Sequence, residues 1–145
     1  MYLPSSFWFA RCLRTIFSPS SPAVHNVLPS LPELFSITLF DNVLQAVKNW
    51  LSKEIEIQND KITVEIISDT ADCLLVNIDT ERYIGHLNVS MPDFRPYRYV
   101  ELYVLDTKKD VTQSPAFFYY DNENDSISDI IDNLNDGIKF MLSEI

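Results

Sequence analysis

Apolar positions in this chain recur at helical spacing near residue 40, alternate with polar ones after residue 60, and return to helical spacing after residue 126. Phe40, Val43, Leu44, Val47, Trp50 and Leu51 fall on one stripe, which predicts an amphipathic helix over Leu39–Lys53. Asp41 in its first turn and Lys48 and Lys53 toward its end suit the helix dipole. A Trp on such a stripe is expected in the core. Period-two alternation then predicts strands at Lys61–Ile67, Cys73–Ile78 and Tyr83–Val89. Their inward sets are Ile62, Val64 and Ile66, then Leu74, Val76 and Ile78, then Tyr83, Leu87 and Val89. Gly85, inside the third run, marks a bulge or the close packing of a neighbour. The links Asp69–Asp72 and Asp79–Arg82 are too short for crossovers and favour an antiparallel meander.

The stretch Tyr97–Asp106 predicts a fourth strand, dense in β-branched and aromatic residues. Val100, Leu102 and Val104 form its core face, and Tyr97, Tyr99, Glu101 and Tyr103 its other face. A buried unpaired Glu is costly, so this second face is expected to meet water or a partner. Ala116–Tyr120 predicts a fifth strand with aromatic residues on both faces, one of which needs a cover other than the main core. Ser126 and Asp129 resemble a capping box opening a last helix, with Ile127, Ile130, Ile131, Leu134, Ile138, Met141 and Leu142 along one side. The expected fold is α+β: a five-stranded antiparallel meander with an N-terminal and a C-terminal helix packed on one face. The opposite face then presents Glu65, Leu75, Asn77, His86, Asn88, Tyr99, Glu101 and Tyr103.

Residues 1–38 follow no period and hold five of the eight prolines and seven serines, so a poorly ordered extension is expected before a single domain at 39–145. The piece Phe7–Ala10 is too short for the apolar core of a signal peptide, and Arg11 and Arg14 interrupt its continuation. Arg11, Arg14 and Glu33 give this region +1 of the chain's net −10, which leaves −11 on the remainder. That contrast makes a start-site artefact an alternative reading, with Leu39 encoded by an alternative start codon and read as Met.

An excess of acid on this scale disfavours nucleic-acid phosphate and anionic membrane and favours a basic protein partner. No apolar run reaches the length of a membrane span. The two cysteines, Cys12 and Cys73, make neither a metal motif nor a disulfide framework, and a reducing cytoplasm is the simplest compartment. Two glycines cannot build a phosphate loop. His25 and His86 stand far apart, and no Ser-His-Asp, Cys-His or metal-ligand spacing is present. The pattern therefore points to a binding module, with no catalytic residues, cofactor or metal. Tyr99, Glu101, Tyr103, Glu65, His86 and the loop residue Asp93 are the candidate contacts, because tyrosine beside carboxylate suits a basic protein surface.

Five stretches also resemble a known family. They are Phe40–Leu51, a helix ending in Trp; the strand pair Leu75–Gly85; Val100–Asp106; the aromatic Phe117–Tyr120; and the acidic C-terminal helix. Together they are similar to the small acidic bacterial immunity proteins of the TriTu type, over residues 39–145. Residues 1–38 depart from that pattern, as does Ser90-Met91-Pro92, where an aromatic residue is expected. The resemblance implies a cytoplasmic antidote that binds and blocks an Rhs-type toxin domain delivered by type VI secretion. It further implies that the toxin is an ADP-ribosyltransferase acting on elongation factor Tu. Type III secretion chaperones, also acidic, α+β and of this size, are the alternative, with an extended effector segment as partner.

Overall fold

The computed structural model describes residues 31–58, 60–91, 98–110 and 114–143, with residues 31–37 in backbone only. Seven elements follow one another: α1 (Leu31–Ile57), β1 (Thr63–Asp69), β2 (Cys73–Asp79), β3 (Tyr83–Ser90), β4 (Val100–Asp106), β5 (Phe117–Tyr120) and α2 (Ile127–Leu142). The strands form one antiparallel sheet in chain order, β1-β2-β3-β4-β5, so each connection joins neighbours. Both helices pack on one face of the sheet. α1 lies against β2 and β3, α2 lies against β4 and β5, and the two helices touch.

The inner face is the expected one. Val76, Ile78, Leu87, Val89, Val100, Leu102 and Val104 are fully buried and meet Phe40, Val43, Val47, Leu134, Ile138 and Met141 from the helices. Trp50 is buried in this core, and its indole Nε1 donates to Asn135 Oδ1 at 2.7 Å, which ties α1 to α2. The capping box of α2 is complete: the Ser126 hydroxyl accepts from the Asp129 amide at 3.1 Å, and the Asp129 carboxylate accepts from the Ser126 amide at 2.8 Å.

Both glycines sit where two elements approach closely. A Cβ at Gly85 would stand 3.0 Å from the Ile78 carbonyl oxygen and 3.3 Å from the Met141 sulfur. The β2–β3 register is unbroken there, so close packing of α2, not a bulge, accounts for Gly85. A Cβ at Gly137 would collide with Leu102 Cδ2 and stand 3.1 Å from Phe117 Cε1.

Four expectations need correction. First, α1 begins at Leu31, eight residues before Leu39, and a start at Leu39 would fall inside it. Pro32 is compatible with this because a helix's first turn has no need of that amide. Residues 1–30 lie outside the described residues. Second, α1 runs on to Ile57 because Glu54–Ile57, although it alternates like a strand, still places Ile55 against the core. Lys48 and Lys53 therefore do not mark its end, and its last turn has no basic residue. Instead Lys48 Nζ donates to the Thr70 carbonyl at 3.0 Å and pairs with Asp69 at 2.6 Å, pinning α1 over the β1–β2 turn.

Third, β1 spans Thr63–Asp69 and Ile66 is exposed. Ile66 keeps its inward register opposite Val76, but the helices cover β2 to β5, and β1 is the edge beyond them. Ile67 packs on Cys73 and Leu75 of the outer face, and a register shift between Ile66 and Ser68 sets Ser68 opposite Leu75. Fourth, β5 needs no second cover. Phe117 packs against the core and Tyr119 is buried in it, while Phe118 and Tyr120 point outward and stay exposed.

Candidate functional site

The outer face of the sheet carries no described helix, and cross-strand register orders its side chains into rows. One row runs Glu65, Asn77, His86, Tyr103, Phe118 across all five strands. The next runs Ser68, Leu75, Asn88, Glu101, Tyr120. Glu65, His86 and Tyr103, singled out from the sequence, thus share one row.

A polar chain crosses the first three strands of that row. An Nδ1–H tautomer of His86 donates to Asn77 Oδ1 at 2.7 Å, and Asn77 Nδ2 donates to Glu65 Oε2 at 3.3 Å. Burial pulls the His86 pKa below its ordinary value, with the Asp79 charge opposing that pull. Burial raises the carboxyl of Asp79, opposed by His86 and reinforced by Glu65. The His86 shift favours the neutral imidazole, the form that both donates from Nδ1 to Asn77 and keeps Nε2 as an acceptor. Among the described residues, no group of His, Cys, Asp and Glu could hold a metal ion.

The other end of the face is aromatic. Tyr103 meets Phe118 edge-to-face with centroids 6.0 Å apart, and Phe118 meets Tyr120 in the same manner at 5.0 Å. Phe118 is 44% and Tyr120 38% exposed, so this ladder of rings is rigid and accessible at once. Sequence reasoning missed both residues, although the aromatic residues on both faces of the fifth strand were the available signal.

Three candidates do not join this row. Tyr99 belongs to the core, where its ring meets Phe40 edge-to-face at 5.4 Å. Glu101 is on the outer face but only 7% exposed, so it does not stand open to solvent as expected. Asp93 lies outside the described residues, as does Tyr97. Asp121, read only as part of an acidic loop, is buried, and its Oδ1 accepts from the consecutive amides of Tyr99 and Val100 at 2.8 and 2.7 Å. Burial raises its carboxyl pKa against the pull of those amides.

At the Cys73 end of the face, Leu75, Asn88, Ser90 and Cys73 itself are buried as well. Cys73 is disulfide-bonded. Among the described residues no helix is long and apolar enough to cross a membrane. Comparison with family models, with characterised proteins and with solved structures finds no match.

Proposed function

We propose that this protein is a non-catalytic binding protein that masks a basic surface of a protein toxin and so acts as its antidote. The observation that carries this reading is the exposed ring ladder of Tyr103, Phe118 and Tyr120, continuous with the polar row that ends at Glu65. Rings already held by ring contacts lose little freedom on docking, and aromatic anchors dominate interface energies. The net charge of −10 supplies the complementary half by steering a basic partner toward the face. The likeness to TriTu-type immunity proteins narrows the partner to an Rhs-type ADP-ribosyltransferase domain that acts on elongation factor Tu. The mechanism is steric and electrostatic: the aromatic edge covers the active cleft while carboxylates meet its basic groups. Such an antidote works in the cytoplasm.

The test is protection. Expressing an Rhs-type ADP-ribosyltransferase toxin domain that acts on elongation factor Tu is expected to arrest growth, and co-expressing the full chain to restore it. Arrest that persists with the chain present at equal or higher level overturns the reading.

A further inference from the structure

We propose that the free edge of β1 docks an extended basic segment of a partner protein, which adds to the sheet as a further strand. β1 ends the sheet, and among the described residues no backbone group pairs with its side away from β2. Sheet edges are ordinarily blunted by lysine, proline, bulges or shortness. β1 has seven residues and neither lysine nor proline. A register shift interrupts it between Ile66 and Ser68, so residues 63–66 are the stretch that offers regular pairing. The inner face of this stretch is apolar and uncovered. Ile66 lies opposite the buried Val76 yet is 51% exposed, because α1 packs on β2 and β3. Ile57, the last residue of α1, is 65% exposed. These are the two most exposed large apolar side chains among the described residues.

Charge names the occupant. Residues 54–72, from the last turn of α1 through β1 to the β1–β2 turn, hold Glu54, Glu56, Asp60, Glu65, Asp69 and Asp72 against Lys61. That is −5, half of the chain's net −10. Among the described residues, the ion pairs of this stretch reach only Asp69, through Lys48. A second copy would set the same excess of acid against itself, whereas lysine or arginine is drawn in. Alternation sets the pattern of the segment. Opposed residues on neighbouring strands share a face, so the added residue beside Ile66 is apolar and the one beside Glu65 is basic. Glu65 ends the outer row through Asn77 and His86, and the basic side chain continues that row by one strand. Main-chain hydrogen bonds supply affinity, and these two positions supply selectivity. β1 is at the opposite edge of the sheet from β5 and its ring ladder, so the inference goes beyond the antidote reading and does not depend on it.

The test uses the full chain, labelled with nitrogen-15, and a blocked peptide in which lysine and valine alternate. A control peptide of the same composition carries its lysines in one block and its valines in the other. Backbone amide shifts and hydrogen exchange are followed by NMR, and sedimentation gives the oligomeric state. The expected result is a monomeric chain in which the alternating peptide shifts the amides of residues 63–66 and slows several-fold the exchange of those that point away from β2. The block peptide should bind several-fold more weakly, as should the alternating peptide to an Ile66→Thr variant, whose exposed position leaves the fold intact. Unchanged β1 amides at millimolar peptide overturn the proposal. Equal binding of the two peptides, or of the variant, would reduce the effect to charge attraction and overturn it as well. So would β1 amides already protected in a dimer of the chain alone, which would give the edge to a second copy.

Discussion

Trp50 and Tyr99 mark what single residues disclose. Trp50 sat on a helical stripe, so its burial was legible from spacing alone. Replacing it by Ala removes a large buried ring and leaves Asn135 Oδ1 without its 2.7 Å donor. The expected loss is about 3–5 kcal/mol, read from the urea midpoint. A variant that unfolds at the wild-type midpoint would show that Trp50 does not hold the helices together. Tyr99 was misread because alternation was carried one residue too far. Consecutive amides of an extended strand point to opposite sides, yet those of Tyr99 and Val100 both reach Asp121 Oδ1. The backbone therefore bends just before β4, and the bend swings the Tyr99 ring onto Phe40. That bend depends on a carboxylate more than twenty residues away, which no local pattern displays.

Among the elements, the order of strands and the two helical faces were legible because each run kept its period and each link was short. Element edges were not. The helix limits at Leu31 and Ile57 depend on what the helix packs against. The exposure of Ile66 depends on how far the helices reach across the sheet. Gly137 tests how closely α2 is seated. Gly→Ala in a helix favours the folded state by up to ~1 kcal/mol through propensity. Here, however, the new methyl group would collide with Leu102 Cδ2, itself fully buried, and crowd Phe117. Overpacking of this kind costs about 1–3 kcal/mol, so Gly137→Ala is expected to lower stability by roughly 1 kcal/mol net. A rise in melting temperature would mean that α2 and β4 can separate without loss.

For the whole molecule, charge and fold act together. Both described helices lie on one side of the sheet, and the proposed contact lies on the other, where the chain's excess of acid would favour a basic partner. Of the candidate face, Glu65, His86 and Tyr103 were legible from alternation, whereas Phe118 and Tyr120 emerge once the limits of the core are known. The burial of Leu75 and Cys73 was not legible in the sequence, because alternation separates the two faces of a sheet without setting how exposed each position is. The central claim is that the Tyr103–Phe118 edge is the contact surface. Calorimetric titration of the toxin domain against the full chain and against a Tyr103→Ala, Phe118→Ala double variant tests it directly, with thermal melts establishing that both fold. The account predicts a loss of at least about 2 kcal/mol, roughly thirtyfold in affinity. A folded double variant that binds as tightly as the wild type would contradict it.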